Sequence, residues 1–309
     1  MSSTATAAAR VAPASGPADQ APRRLRPAAW ALAPALAFMM LFFIVPLSAL
    51  VAASFRAIEP GTTSGGGFTL SNYAALLTDA HSLKIMWASL RVSLQATVVC
   101  LGLGYPLAVL MASLARTRPR LQVALLVVVF APLFVGVVVR AFAWTVLLRS
   151  DGVINNLLLW SGIVNQPVRL LFTEAGLVLA MTHVFLPLMV LPIASVIQKI
   201  DPNLDEAAQT LGATPLRRFF KVLLPLSVPG ICAGAALVFC MCISAYVIPT
   251  LVAGSRVLVM PITIARRFMV TMDWAQGAAA AVLLVAMTIA VVLANEFIVQ
   301  GRRAARSGT

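Results

Sequence analysis

Five stretches of this chain run for more than 20 residues without a charged side chain: Pro27–Phe55, Val92–Ala115, Ala175–Gln198, Val222–Ser255 and Trp274–Asn295. A hydrocarbon core about 30 Å thick is crossed by about 20 apolar residues at a rise of 1.5 Å each. A sixth run, Leu121–Leu148, is interrupted once, by Arg140. Lipid offers the backbone no hydrogen-bond partners, so a single spanning segment of this length must satisfy its own as a helix. The expected fold is therefore all-α: a polytopic membrane protein with six transmembrane helices. Val222–Ser255 exceeds one span and takes in parts of both flanking loops. Two shorter apolar stretches, Gly152–Val168 and Val257–Ala265, read as interfacial or re-entrant. With 61% hydrophobic and 11% charged residues, too little polar surface remains to cover a water-soluble fold.

The net charge of +13 would point to nucleic acid in a soluble protein. The positions of the charges decide otherwise. Six spans put both termini on one side. With that side taken as the cytoplasm, 14 basic residues fall inside and 8 outside, Arg140 being the remaining one. The inside set includes Arg116, Arg118 and Arg120 after the second span, and Lys199, Arg217, Arg218 and Lys221 after the fourth. Glu59, Asp79, Asp151, Glu174 and Asp273 all fall outside. This is the bias that orients membrane proteins, with both termini in the cytoplasm and no call for nucleic acid. Residues 1–27, rich in Ala, Ser, Pro and Arg, read as a disordered basic tail, 28–300 as the membrane domain and 301–309 as a second basic tail. Cys100, Cys232, Cys240 and Cys242 fall inside apolar runs without a metal-binding spacing, and read as small buried hydrophobes.

Within the spans, Pro46, Pro106, Pro132, Pro187, Pro192 and Pro249 each remove a backbone donor and tend to kink a helix. Gly230 and Gly234 form a GxxxG face suited to close helix packing. The longest cytoplasmic loop, 199–225, is the most informative. Asp201 is placed to cap a short helix that begins at Pro202, and Asp205 and Glu206 sit at the positive end of its dipole. Gly212 follows where a left-handed C-terminal cap belongs, and Thr214-Pro215 starts a second helix. Leu204, Ala208 and Leu211 form one modest apolar stripe. Such a capped hairpin is either an ordinary surface feature or a knob that docks in the groove of another protein.

Glu206-Ala-Ala, three residues, Gly212, nine residues and then Val222-Leu-Leu-Pro225 resembles the EAA loop of ABC importer permeases, with Val222 for the usual Ile. Phe68–Tyr73, Gly104–Ala108, Arg140–Trp144, Asp151–Asn156 and Ser244–Gly254 are similar to stretches of the spermidine/putrescine-type branch. The resemblance runs from about residue 28 to 300. It implies a type I importer permease of the bacterial inner membrane, moving a small organic solute, polyamine-like or related. A second permease, identical or a sister chain, a periplasmic binding protein and a pair of ABC ATPases would complete the assembly. ATP and Mg would be held by the ATPases, since this chain has no GxxxxGK[ST] phosphate loop. The coupling loop would be carried by Glu206 as a charge contact, Ala207 and Ala208 allowing close approach, Gly212 as the turn, and Leu224 and Pro225 leading into the fifth span.

Arg140 is the one charge inside a span, 19 residues after Leu121 and so about 28 Å along a straight helix, which places it near the outer interface. It either snorkels there or belongs to the pathway. Trp144, Tyr246 and Pro249 are further pathway candidates, with interfacial anchoring the alternative for the aromatics. His183 reads as paired with a backbone carbonyl or a neighbouring helix. The spans contain almost no acids, so polyamine selectivity would rest with the binding protein. The chain has no HExxH, no GxSxG and no metal cluster in its sequence, hence no catalytic residue is assigned. The alternative to an importer subunit is a stand-alone secondary transporter or channel, which would show paired intramembrane charges or an internal repeat.

Overall fold

The computed structural model describes residues 26–57 and 67–307. The segment expected as an N-terminal tail lies almost wholly outside the described residues. Thirteen α-helices run along the described chain: α1 Arg26–Ser54, α2 Ser71–Thr78, α3 Ala80–Thr117, α4 Pro119–Phe130, α5 Val137–Leu147, α6 Val153–Trp160, α7 Glu174–Gln198, α8 Pro202–Thr210, α9 Pro215–Arg218, α10 Leu224–Ile243, α11 Val247–Val252, α12 Met260–Met269 and α13 Trp274–Ser307. Five helical stretches are long and apolar enough to cross a bilayer, and a sixth is reached if one bent pair counts as a single span. The last helix continues through Ser307, past the point where the apolar run ends and a tail is expected.

The chain divides into two compact units, 1–49 and 50–309. The first holds most of α1, whose side chains from Phe38 to Val45 are all exposed. Such a surface is untenable in water and costs nothing in lipid, where side chains and acyl tails are equally apolar.

The second unit is organised around α7, the most enclosed of the spans, which packs against both α3 and α10. Small residues let the backbones approach. A Cβ on Gly230 would lie 2.9 Å from the Pro192 carbonyl oxygen and 3.0 Å from the Ile193 Cα, and one on Gly234 3.0 Å from the Met189 carbonyl oxygen. The GxxxG face is thus spent on α7. Buried polar groups find partners across the same bundle: Tyr105 Oη lies 3.0 Å from Ser227 Oγ, and the Cys100 thiol donates to the Thr182 carbonyl. A smaller core of Leu76, Ile85, Met260, Ala279 and Ala280 joins α2, α3, α12 and α13. There the Ser89 hydroxyl accepts the Met260 amide at 2.7 Å.

The N-terminal end of α3 is capped by Asp79, which accepts from the His81 and Ser82 amides and the Ser82 hydroxyl. These bonds, the hydroxyl first, hold its carboxyl below the usual carboxylate range.

One expected span is sharply bent. Leu121–Leu148 reads as a single span, yet the chain there breaks into α4, a 3₁₀ turn Ala131–Phe134 and α5, with a 99° bend. Pro132 removes a donor, Val135 is extended, and Gly136, also extended, provides the start of α5. Of the two stretches expected as interfacial or re-entrant, Gly152–Val168 contains the short helix α6, and Val257–Ala265 holds only the start of α12, which runs on to Met269.

Gly230→Val should lower the detergent melting temperature of the purified protein, the overpacking costing about 1–3 kcal/mol. Gly102→Ala on α3, where a Cβ meets nothing within 4 Å, should leave it unchanged or slightly raised. Equal melting temperatures would mean that α7 and α10 are not in backbone contact.

Candidate functional site: the cytoplasmic loop and the broken helices

The loop between α7 and α10 is built from local signals. Asp201, extended at φ −61° and ψ 124°, accepts the Asn203 amide at 3.0 Å and Pro202 takes the first helical position of α8. The helix ends in two bonds, the Gly212 amide to the Gln209 carbonyl at 2.9 Å and the Ala213 amide to the Ala208 carbonyl at 3.0 Å. This is a Schellman closure, and it needs the left-handed residue that Gly212 supplies at φ +78°. Thr214 then caps α9 through the Arg217 amide, and a π-helical turn Phe219–Leu223 leads directly into Leu224 and Pro225 at the head of α10. Pro215–Ile243 consequently runs as one helical stretch. The wide turn falls just ahead of Pro225, whose ring crowds the preceding turn and whose missing N–H leaves a carbonyl unmatched.

Glu206, Ala207 and Gly212 are exposed, while Ala208, Leu224 and Pro225 are half-buried. The apolar stripe faces outward: Leu204 is 48% exposed and Leu211 87%, with Leu216 of α9 at 70%. The hairpin is closed by a contact that the sequence reading lacks, an ion pair of 2.7 Å between Arg218 Nη1 and Asp205 Oδ2. Arg116, in the last turn of α3, donates to the Ile200 carbonyl at 2.6 Å and to that of Gln198 at 3.4 Å.

The four pathway candidates form a second group, on α5 and around α11, which pack against each other. Trp144 is buried, and its indole N–H donates to His183 Nδ1 on α7 at 3.2 Å, with the rings edge to face. His183 therefore pairs with a neighbouring helix, through a side chain rather than a carbonyl. Arg140 is half-buried, and its Nε and Nη1 are enclosed without a hydrogen-bond partner. Tyr246, 43% exposed, lies in the unwound link between α10 and α11, and Pro249 is buried one turn further on. The loop residues and these four belong to different parts of α7's length. His183 precedes Gln198 by 15 residues, about 22 Å at helical rise.

Two further polar features went unread in the sequence. Arg91 of α3 pairs with Glu174 at the start of α7. Asn155, fully buried, donates to the Arg149 and Val168 carbonyls and accepts the Val168 amide at 2.8 Å, closing the loop after α5. Neither has a spacing rule to announce it: Glu174 lies 83 residues from Arg91, and Asn155 reaches 6 residues back and 13 forward. Among the described residues no group of three His, Cys, Asp or Glu could hold a metal ion.

A model of the family described as "binding-protein-dependent transport system inner membrane component" matches residues 104–304. The chain is 32% identical over 245 residues to the spermidine/putrescine transport system permease protein PotB of Haemophilus influenzae, covering 79% of this chain and 84% of that one. To PotB of Escherichia coli K12 it is 34% identical over 248 residues, covering 80% and 88%. Its fold is similar to a chain in the crystal structure of a bacterial ABC transporter involved in the import of the acidic polysaccharide alginate. The TM-score is 0.69 at 19% identity, over 90% of this chain and 96% of that one.

Nothing lies within 4 Å of where a Cβ on Gly212 would stand, so the cost of replacing it is conformational alone. Gly212→Ala should destabilise the α8 cap by about 1 kcal/mol, and Gly212→Asn by less, since Asn tolerates the left-handed region. Amide exchange across 208–214 should accelerate about fivefold in the first variant and stay near wild type in the second. Equal rates in all three proteins would refute the cap.

Proposed function

The chain belongs to the family of binding-protein-dependent transport system inner membrane components and is a permease subunit moving a small solute inward; from that premise we propose how its parts act. The observation that carries the proposal is the exposed, doubly capped hairpin α8–α9, with Glu206, Ala207 and Gly212 at its surface and Leu204, Leu211 and Leu216 uncovered. An apolar stripe beside the carboxylate of Glu206, unpaired among the described residues, with Asp205 engaged by Arg218, on a rigid short helix fits a groove in another protein. That protein is an ABC ATPase, one of a pair, which holds ATP and Mg. This chain supplies no phosphate loop of its own. Glu206 makes the charge contact, Ala207 and Ala208 let the backbones approach, and Gly212 turns the chain back toward the membrane.

Closure of the ATPases on ATP would displace α8. The uninterrupted stretch Pro215–Ile243 carries Leu224 and Pro225 and packs on α7, so the displacement reaches the spans as a rigid-body movement. A second permease, identical or a sister chain, completes the pathway, and a periplasmic binding protein delivers the solute to the outer loops. Arg140, Trp144, Tyr246 and Pro249 are placed on this reading along the route. The 14-to-8 distribution of basic residues supports both termini in the cytoplasm. For the solute, the PotB relatives support a polyamine or a related small organic molecule, with selectivity residing in the binding protein.

Glu206→Ala should cut uptake by inside-out-controlled, sealed membrane vesicles about tenfold, the loss of one central interface contact, while the amount of inserted protein stays the same. A tagged wild-type chain should also bring down an ATPase. Normal uptake by the variant would sink the role given to Glu206, and purification without an ATPase would favour a stand-alone transporter.

A further inference from the structure

Resting on the coupling role just proposed for α8, the inference concerns how movement of that loop reaches the third helix of the bundle. The loop has two anchors. One is covalent: the loop leaves α7 at Lys199, and α9 continues through the π turn into α10. The other is a side chain. The last carbonyls of α7 lack intrahelical partners, as at any helix end, and the Arg116 guanidinium of α3 takes that of Gln198 together with that of Ile200, just past the Lys199 cap. A cation at that end is also favoured by the helix dipole. Lys199 and Ile200 are where α7 gives way to α8, since Asp201 already caps the next helix.

Arg116 therefore grips the hinge itself, from a helix 82 residues earlier in the chain. The Asp205–Arg218 ion pair closes the other side, binding α8 to α9. Between the two ties lies a cavity of about 300 Å³, walled by Val109 and Ala112 of α3, Ile197 of α7 and Phe219 of the π turn. The cytoplasmic end of α3 thus faces the hairpin across a groove, while deeper in the bundle Tyr105 of α3 packs edge to face on Phe219 of the π turn. Side-chain packing ties α3 to the bundle below the groove, and the Arg116 bonds tie its cytoplasmic end directly to the start of the hairpin.

We propose that Arg116 is the positioning residue that transmits displacement of the α8 hairpin to α3, by holding the Gln198–Ile200 hinge to the cytoplasmic end of that helix. Without it the cytoplasmic end of α3 follows less of the hairpin's movement, although the centre of α3 stays packed on α7 and α10. The role requires a cation with more than one donor and reach across two carbonyls. Lys, a compact point charge, keeps part of it, whereas Gln and Ala do not.

The test is hydrogen–deuterium exchange on the complete importer in lipid nanodiscs, with and without Mg-ATP, for wild type and the Arg116→Ala, Arg116→Gln and Arg116→Lys variants. In wild type, ATP should alter exchange in two segments, 199–214 and 108–117. In Arg116→Ala and Arg116→Gln the change in 199–214 should persist while that in 108–117 falls about threefold or more, with Arg116→Lys between. A purely structural role would raise exchange equally with and without ATP and leave the difference between the two conditions intact. An undiminished ATP-dependent change at 108–117 in both Ala and Gln variants overturns the proposal, and the Gln variant serves if the Ala variant does not fold. Absence of any ATP response at 199–214 in wild type overturns instead the coupling role of α8, and this inference with it.

Discussion

The contact between α7 and α10 sets the terms for everything else in the second unit. Lipid tails are as apolar as leucine, so two helices gain little by hiding apolar surface from them, and association depends on how closely their backbones fit. Gly230 and Gly234 supply that fit by leaving the Pro192 and Met189 carbonyls room at about 3 Å. Pro192 sits inside α7, and the same region of α7 receives α3, where Met189 meets Gly104. The three helices therefore share one interlocked centre at Met189. The loop 199–214 joins two helices that are already fixed to each other. It has little freedom except to tilt as a capped hairpin, which is what a coupling element needs.

The sequence was most readable where the determinants are local. Asp201, Pro202, Gly212, Thr214 and Pro215 each act on backbone groups within a few residues, and each sits where a cap or a start belongs. Apolar run length likewise located the spans, because the thickness of the bilayer is an external ruler. What could not be read are pairs whose partners are brought together by the fold: Arg91 with Glu174, Tyr105 with Ser227, and Ser89 with Met260, separated by 83, 122 and 171 residues. No spacing rule reaches that far. Arg116 and Arg218 belong to the same class. Both counted only as charges for orientation, while their geometry makes them ties within the loop.

The broken span shows a different limit. Hydropathy sums over a window and registers no interruption where every residue is apolar. Proline alone was no guide either, since Pro106, Pro187 and Pro192 all lie inside α3 and α7, which are continuous. At 131–136 a proline is followed at four residues by a glycine, and the two together end one helix and begin another. The bend also removes the basis for placing Arg140 by counting residues from Leu121. Distance along a straight helix ceases to measure depth once the axis turns through 99°.

A second interruption lies in the chain between α10 and α11. The backbone unwinds at Ala245 and Tyr246 between α10 and α11, and α11 packs against α5. Non-helical backbone inside an apolar segment is tolerated only where protein covers it or where it borders a water-filled cavity. Protein covers part of this region, as buried Trp144, Ile248 and Val252 show. It does not cover all of it: Tyr246 and His183 remain exposed in the single chain. Two interrupted helices meeting beside an enclosed, unpaired guanidinium and an open tyrosine and histidine are poorly suited to face lipid. They suit a surface that faces water, solute or a second permease. Backbone satisfaction, rather than residue type, thus supports the proposed placing of Arg140 and Tyr246 along the pathway over simple anchoring at the interface.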